Sequence, residues 1–293
     1  MKRKLILIFA WMGISFLALA QTMPPSRGAN AQAAPDTNVE ARVEALLGKM
    51  TLEEKIDLLN GRRGFYTLGI ERLGIPAMKM ADGPMGVRNY GPSTAFPAGV
   101  ALAATWDTEM ARKIGAAMGQ DARARDVNIL LAPAVNINRV PVNGRNFEYF
   151  GEDPFLAGQT AVGFIQGVQS QGVIATVKHF ALNNQEYQRN SISSEVDERT
   201  MNEIYFPAFK AAVQQGKVWA VMCSYNKING VYASANEMLE TEILKKDWGF
   251  RGMVMSDWGA AHDGIADALA GLDLEMPSGK YMNRESLLPA VKC

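Results

Sequence analysis

The sequence is poor in the residues that most often carry metal or redox chemistry. It has 293 residues but only two cysteines and two histidines. No Cys-x-x-Cys pair and no cluster of Cys and His predicts a zinc site. Cys223 and Cys293 alone are too few for a disulfide framework. We therefore expect neither a metal nor a cofactor, and we expect chemistry that depends on carboxylates, amides and aromatic rings.

The sequence also lacks an excess of either charge. Thirty Lys and Arg residues balance 30 Asp and Glu residues, which argues against a protein that coats nucleic acid or binds membranes through a polybasic surface. Hydrophobic residues make up 48% of the chain, enough for a buried core and too many for a disordered protein. The length predicts one large domain or two small ones.

Residues 1–20 have the pattern of a secretory signal peptide. Lys2-Arg3-Lys4 precedes the apolar run Leu5–Ala20, which ends in the A-x-A pattern Ala18-Leu19-Ala20. This run is shorter than the roughly 20 residues that span a bilayer, so cleavage is favoured over a membrane anchor. We expect an exported protein, periplasmic or extracellular, without stable membrane association after cleavage. Residues 21–38 are rich in Pro, Ala and Ser and predict a flexible leader.

From residue 39 to residue 293, short apolar runs alternate with stretches that have helical spacing. Apolar strands joined by helices predict a parallel sheet covered on both faces. The predicted strands are Ala77–Met80, Gly99–Ala103, Ile129–Ala132, Ile174–Val177, Ala220–Ser224, Met253–Ser256 and Leu272–Glu275. The predicted helices are Leu52–Leu59, opened by a capping box at Thr51 and Glu54, and Thr108–Arg125, Pro154–Gln171, Glu198–Gln215 and Glu237–Lys246.

This alternation favours one fold class, an α/β TIM-like (β/α) barrel. A doubly wound sheet is less favoured because no Gly-rich dinucleotide fingerprint is present. A (β/α) barrel needs eight strands, one more than the runs found here, so the eighth would lie beyond Cys293. We therefore expect a barrel that is incomplete at its C-terminal end.

Nearly every predicted strand ends in polar residues. Because barrel enzymes carry their active sites at the C-terminal ends of the strands, these residues would meet in one bowl. Charged groups there can bind vicinal sugar hydroxyls, and an aromatic face can pack against the sugar ring. A phosphate site is not indicated, because no Gly-rich loop leads into a helix. The residues expected to meet are Asp82, Arg145, Lys178, His179, Tyr225, Asp257 and Trp258.

Seven ordered motifs make the chain resemble the N-terminal barrel domain of glycoside hydrolase family 3, of the bacterial β-glucosidase type. The resemblance covers essentially Val39–Pro277. The motifs are Met50–Leu59, Ala81–Arg88, Thr94–Asp107, Gly144–Pro154, Thr176–Phe180, Met222–Gly230 and Gly252–Trp258.

The resemblance implies an exo-acting, retaining hydrolase that releases terminal β-D-glucose from β-glucosides or short β-gluco-oligosaccharides. Asp257 matches the catalytic nucleophile, which forms a covalent glycosyl-enzyme. The residues that match groups gripping the sugar hydroxyls are Asp82, Arg145, Lys178 and His179. Tyr225 matches a neighbour of the nucleophile, Trp258 an aromatic wall, and Arg88 and Glu148 supporting residues.

Two further expectations concern this site. The nearby Lys178, Arg145 and His179 should lower the pKa of the Asp257 carboxyl. The resemblance also implies at least one non-proline cis peptide bond within Lys178-His179-Phe180.

The acid/base is left unassigned. A retaining glycosidase needs a second carboxyl group about 5–5.5 Å from the nucleophile, and in most of the family a C-terminal α/β sandwich domain supplies it. We expect that domain to lie beyond Cys293. The single-domain β-N-acetylglucosaminidases of the family instead use a histidine in the pattern K-H-F-P-G-H-G. Residues 178–184 read K-H-F-A-L-N-N and lack it. His262 and Glu186 are the nearest substitutes, and both are weak ones.

Three alternatives to a β-glucosidase remain open. One is a β-xylosidase or another exo-β-glycosidase. A second is a catalytically crippled sugar-binding fragment that keeps the nucleophile. The third is an unrelated barrel enzyme, such as an aldolase, that uses Lys178 in a Schiff base. The Asp and Arg residues predicted beside Lys178 argue against the depressed pKa that such a lysine needs.

Overall fold

A computed structural model describes residues 37–292 of the chain. The predicted signal peptide and the leader up to residue 36 lie outside the described residues. The chain divides into two compact units, Met1–Val43 and Glu44–Cys293. The described part of the first unit opens helix α1 (Thr37–Leu47), two residues before the predicted start of the folded domain. The second unit carries the sheet and the site.

The second unit is built around a parallel sheet. The strands within residues 37–292 are β1 (Gly61–Arg62), β2 (Tyr66–Thr67), β3 (Met80–Asp82), β4 (Ile129–Leu131), β5 (Ile174–Phe180), β6 (Ser193–Ser194), β7 (Ala220–Cys223), β8 (Lys227–Ile228), β9 (Val231–Tyr232) and β10 (Met253–Ser256). Five of them form one sheet in the order β10-β7-β5-β4-β3, with every neighbouring pair parallel. Each of the five overlaps a predicted strand, although β3 shares only Met80 with the predicted Ala77–Met80.

Single bridges link the two edges of this sheet. Beyond β10, Leu274 bridges Met255 and Glu275 bridges Asn60, both in parallel. The antiparallel β1–β2 hairpin follows, and β2 bridges Lys79 beside β3. Only short pieces therefore fill the gap between the edges, and residues 37–292 contain no closed eight-stranded barrel.

Helices cover the outer face of the sheet. In chain order after α1 they are α2 (Leu52–Leu58), α3 (Gly99–Ala103), α4 (Thr108–Arg123), α5 (Pro154–Gln169), α6 (Glu198–Thr200), α7 (Pro207–Gln214), α8 (Gly264–Ala270) and α9 (Arg284–Lys292), with π-helical stretches Met201–Tyr205 and Met238–Asp247. The predicted capping box is confirmed: the Thr51 hydroxyl accepts the Glu54 N–H at 3.2 Å, and the Thr51 N–H donates to the Glu54 carboxylate at 2.9 Å. No helix of residues 37–292 is both long and apolar enough to cross a membrane.

Two strand predictions were wrong. Residues 99–103 form α3 instead of a strand, because a short apolar run has no periodicity that separates a buried strand from a buried helix. Gly99 lets this helix approach the backbone carbonyls of Glu148 and Tyr149. Residues 272–275 form the single bridges described above and are too irregular for a strand.

Alternation along the strands separates two cores. On the face of the sheet opposite the helices, one set of buried residues packs together: Met80, Ile129, Leu131, Ala220, Met222, Met255, Leu274 and Met276. Their neighbours in sequence, such as Ala81, Leu130 and Val221, belong to the larger core under the helices. Since side chains alternate along a strand, the inward face continues at the strand ends toward Asp82 and Lys178.

Helices α4 and α5 pack closely through glycines. A Cβ atom at Gly167 would overlap the carbonyl oxygen of Arg112, and one at Gly115 would overlap that of Phe164. Backbone atoms cannot move aside as a flexible side chain can. The close contact of these helices therefore requires glycine at both positions.

We expect Gly167→Ala to lower the free energy of unfolding by about 1–3 kcal/mol, because overpacking forces the two helices apart. Chemical denaturation of the chain measures this change. Gly158→Ala is the matched control on the same helix, since its Cβ would first meet the Ala211 methyl at 3.2 Å. Equal effects of the two substitutions would contradict the packing argument.

A buried carboxyl group under the helices gives a pH-dependent prediction. Glu240 is fully buried, and within the described residues neither carboxylate oxygen has a hydrogen-bond partner. Burial raises its pKa well above the usual value, and the nearby Lys245 opposes this only in part. The folded state therefore binds the proton more tightly than the unfolded state, and stability falls as pH rises above the unfolded pKa.

Glu240→Gln removes that ionisation. We expect the stability of this variant relative to the wild type to increase between pH 5 and pH 8, by up to about 1.4 kcal/mol per pH unit. Melting temperatures over this range measure the effect. Glu242→Gln is the control, because Glu242 lies at the surface and pairs with Lys246. A pH-independent difference for Glu240→Gln would refute the assignment.

Candidate active site

A cavity of about 400 Å³ lies at the carboxyl ends of the parallel strands. Every site residue predicted from the sequence lines it: Asp82, Arg88, Arg145, Glu148, Lys178, His179, Tyr225, Asp257 and Trp258. The fold thus brings together side chains that are up to 176 positions apart (258 − 82) in the sequence. Their individual roles in a reaction remain predictions.

An irregularity in β5 places two consecutive side chains in the cavity. The pairing of β5 with β7 shifts between Lys178 and Phe180, so His179 is the extra residue of a bulge. Regular alternation would turn His179 outward, whereas a bulge redirects a side chain. The predicted non-proline cis peptide bond is confirmed at Lys178–His179, and another lies between Phe180 and Ala181.

Asp82, at the end of β3, is held by two cations. Its Oδ1 accepts a hydrogen bond from Lys178 Nζ at 2.7 Å, and its Oδ2 pairs with Arg88 at 2.6 Å. Burial raises the pKa of Asp82, but the charges of Lys178, Arg88 and Arg145 and the Lys178 hydrogen bond outweigh it, so the pKa lies below its usual value. Asp82 is therefore a carboxylate paired with the buried Lys178.

Arg145 links the cavity wall to His179. Its Nε pairs with Glu148, which is 5% exposed, and its NH2 donates to Nε2 of His179 at 2.8 Å. Burial, followed by the charges of Arg145 and Lys178, lowers the pKa of His179 well below its usual value. The imidazole is therefore neutral, and its 3.6 Å approach to the Asp257 carboxylate is not an ion pair.

Asp257, directly after β10, is buried and presents one free oxygen. Its Oδ1 accepts the Trp258 N–H at 2.7 Å, while its Oδ2 has no hydrogen-bond partner within residues 37–292. The expected lowering of its pKa was wrong, because burial raises the pKa above the usual value. Lys178, Arg145, the Trp258 N–H and the Tyr225 hydroxyl oppose this without overcoming it. His179 contributes no positive charge because it is neutral.

An aromatic wall faces this carboxylate. The rings of Trp258 and Phe65 are 4.9 Å apart, and the indole N–H of Trp258 donates to the Gly64 carbonyl at 2.9 Å. Phe65 lies between β1 and β2, so the hairpin that fills the gap in the sheet also supports the wall. The strand pattern had not drawn attention to Phe65, although an aromatic residue beside Gly64 in a short connection is a usable signal.

The model of the glycosyl hydrolase family 3 N-terminal domain matches residues 43–287. The chain belongs to this family. Thermostable β-glucosidase B of Acetivibrio thermocellus is 47% identical over 262 residues, which are 85% of this chain and 35% of that protein. An exo-α-(1→6)-L-arabinopyranosidase of Bifidobacterium breve is 45% identical over 241 residues, which are 78% of this chain and 32% of that protein.

Solved structures of the family agree with this fold. β-Glucosidase 3B of Thermotoga neapolitana in complex with glucose superposes with a TM-score of 0.80 and 42% identity, covering 86% of this chain and 39% of that one. The predicted TIM-like α/β fold class is thereby confirmed. This family 3 domain spans about a third of the length of the relatives described above.

Arg189 and Glu186 also line the cavity of this family 3 domain. The Arg189 guanidinium lies 4.2 Å from the centre of the Tyr225 ring and donates to Glu186 at 2.6 Å. Burial and the charge of Asp257 raise the pKa of Tyr225, so its hydroxyl keeps its proton. Sequence reasoning missed Arg189, because it lies in a loop beyond β5 and follows no predicted strand.

The two weak candidates for the acid, Glu186 and His262, differ in whether they line the cavity. The carboxylate of Glu186 lines the cavity, but it accepts hydrogen bonds from Arg189 at 2.6 Å and Asn183 at 3.3 Å. It is therefore an acceptor in this arrangement. His262 does not line the cavity and stacks on Tyr232 with the ring centres 3.6 Å apart.

We expect Asp82→Asn to destabilise the domain at pH 7 by about 3–5 kcal/mol, because it leaves the buried Lys178 charge without its partner. The pKa of Asp82 is lowered in the folded state, so its contribution is present above the unfolded pKa and is lost as pH falls through the folded pKa. The difference from the wild type should therefore shrink below about pH 4.

Denaturation at pH 7 and pH 3 tests this prediction. Glu203→Gln is the control, because it removes one partner of the exposed pair with Arg199 and should change stability by less than about 1 kcal/mol. A similar small effect for Asp82→Asn would contradict the buried pair.

Proposed function

We propose that this chain carries the nucleophile and the sugar-binding part of an exo-acting, retaining β-glycosidase that acts on terminal β-D-glucose. The observation that supports this most directly is the free Oδ2 of Asp257, which lies in a cavity with cations and an aromatic wall. A cavity of about 400 Å³ is within the range of small-molecule sites. The two β-glucosidases named above, one of them solved with glucose, support a hexose as the ligand.

The charged residues suit the hydroxyl groups of a pyranose. The Asp82 carboxylate and the Lys178 ammonium lie 2.7 Å apart, so an acceptor and a donor are offered side by side to adjacent hydroxyls. Arg145 adds a second donor near His179. The Trp258 and Phe65 rings provide an apolar surface for the C–H face of the sugar. These contacts would hold the anomeric carbon opposite Asp257.

In the proposed reaction, Oδ2 of Asp257 attacks the anomeric carbon as the bond to the leaving oxygen breaks. A covalent glycosyl ester forms, and water later hydrolyses it with overall retention. The leaving oxygen takes its proton from an acid that we place outside this chain. Lys178 and Arg145 favour the ionised nucleophile, while the burial that raises its pKa also removes the water that would shield the attack.

A second candidate substrate class is the pentopyranosides. The Bifidobacterium breve relative is named for an L-arabinopyranoside, and a pentopyranose lacks the CH₂OH group of glucose. We propose the β-glucoside as the preferred substrate, because the β-glucosidase of Acetivibrio thermocellus is the more similar of the two relatives. The signal-peptide pattern supports export as a further part of this proposal.

Covalent labelling tests the nucleophile without requiring an acid. We expect an aryl 2-deoxy-2-fluoro-β-D-glucoside with a 2,4-dinitrophenol leaving group to add one glycosyl unit to Asp257, since this leaving group departs as an anion. Intact mass and peptide mapping measure the adduct. The labelling rate should increase as pH rises through the pKa of Asp257. Because this pKa is raised, the increase should occur above the usual carboxyl pKa of about 4.

Three comparisons make this test specific. Asp257→Asn should give no adduct, whereas Asp247→Asn, which alters an exposed carboxylate outside the cavity, should label like the wild type. The corresponding xyloside and α-L-arabinopyranoside should label more slowly. An adduct on another carboxylate would refute the proposal, and glucose binding without an adduct would favour a sugar-binding module instead.

A further inference from the structure

Asn136 makes an unusual set of hydrogen bonds to His179. Its Oδ1 accepts the backbone N–H of His179 at 2.8 Å, and its Nδ2 donates to the backbone carbonyl of the same residue at 2.9 Å. Both residues are at most 2% exposed. Asn136 follows β4. It does not line the cavity and lies outside the seven family motifs.

The bulge in β5 explains why this carboxamide is needed. The residue-by-residue pairing of β5 with β7 runs from Lys178 directly to Phe180 and leaves His179 out. A buried N–H or carbonyl without a partner costs about 1–3 kcal/mol. The side chain of Asn136 supplies both partners and so takes the place of a strand at the extra residue.

These backbone contacts also fix which way the carboxamide points. A backbone N–H can only donate and a carbonyl oxygen can only accept, so Oδ1 must face the N–H and Nδ2 the carbonyl. Oδ1 then also lies 3.3 Å from Nδ1 of the His179 ring. On the other side of the ring, Arg145 can only donate to Nε2. Both neighbours therefore require the proton on Nδ1 and a lone pair on Nε2.

We propose that Asn136 is a positioning residue that holds His179 as the Nδ1–H tautomer and thereby keeps Oδ2 of Asp257 free for nucleophilic attack. Nε2 lies 3.6 Å from Oδ2. In this tautomer Nε2 accepts from Arg145 and has no proton to donate, so no hydrogen bond to Oδ2 forms. A proton on Nε2 would need only a small closure to donate to Oδ2 and occupy the nucleophile. This consequence rests on the proposed function, whereas the tautomer does not.

The charges around His179 oppose a second proton on the ring. The cations Arg145, Lys178 and Arg189 disfavour an imidazolium. The anion nearest to the ring is Asp257, and Tyr149 presents an uncharged ring edge at 6.5 Å between centres. Glu148 and Glu186, the other cavity carboxylates near these groups, are engaged by Arg145 and Arg189. Replacing the neutral Asn136 with an anion would shift this balance.

The tautomer can be read directly in the wild-type chain, because it contains only two histidines. After incorporation of ring-¹⁵N histidine, we expect the His179 signals at neutral pH to show a protonated Nδ1 and an unprotonated Nε2. The variant His262→Gln assigns the remaining set to His179. A protonated Nε2, in either the other tautomer or the imidazolium, would overturn the inference, and no substitution of the site is needed.

Asn136→Asp tests the effect on Asp257. The new carboxylate still accepts from the His179 N–H and from Nδ1, but its negative charge favours an imidazolium whose Nε2–H donates to Oδ2. We expect the pH at which His179 gains its second proton to rise, and the rate of labelling by the fluoroglucoside at neutral pH to fall about tenfold to hundredfold, the value of one hydrogen bond to a charged group.

Asn229→Asp is the matched control. Asn229 forms the same pair of hydrogen bonds to the backbone N–H and carbonyl of Val196, both at 2.9 Å, but no imidazole is involved. It should leave the His179 signals and the labelling rate unchanged. If the wild type labels Asp257 while Nε2 carries the proton, the inference fails and the proposed function stands. If Nδ1 carries the proton but no adduct forms, the function fails and the tautomer stands.

Discussion

The arrangement of this site depends on one irregular position in the sheet. A regular strand presents every second side chain to a given face, so Lys178 and His179 could not both face the same cavity. The bulge at His179 removes that restriction and allows Phe180 to return to the outer core, where it packs against Phe206, Phe209 and Trp248. One extra residue thus adds an imidazole to the cavity without taking an aromatic ring from the core.

The same cavity keeps two carboxylates in different states. Asp82 touches Lys178 and Arg88 directly, and its pKa is lowered. Asp257 is more deeply buried and feels the same cations without a direct ion pair to them, so its pKa is raised. Direct contact with a cation therefore separates the carboxyl group with a lowered pKa from the one with a raised pKa. Because His179 is neutral, it does not lower the pKa of Asp257, and the difference in pKa between the two carboxyl groups is preserved.

Much of this could be predicted from the sequence. The parallel strands could be located because each is a short apolar run, and the polar residues after them identify the cavity because strand ends meet at one edge. The sequence did not distinguish helix from strand at residues 99–103, since five apolar residues fit both. It gave the wrong sign for the Asp257 pKa, because burial is a tertiary property that no motif records. Phe65 and Arg189 were missed because they lie in connections rather than at strand ends. Asn136 does follow a strand, but its role depends on contacts with the backbone of β5 that no sequence pattern records.

The β1–β2 hairpin carries a consequence for how such a domain can change over evolution. Its backbone fills the gap between the two sheet edges, while Gly64 and Phe65 at its turn hold the indole of Trp258. An insertion or deletion in this short segment would alter the aromatic wall of the cavity and the integrity of the sheet at once. A change in the shape of this wall is therefore expected to require replacement of side chains in the hairpin, with its length preserved.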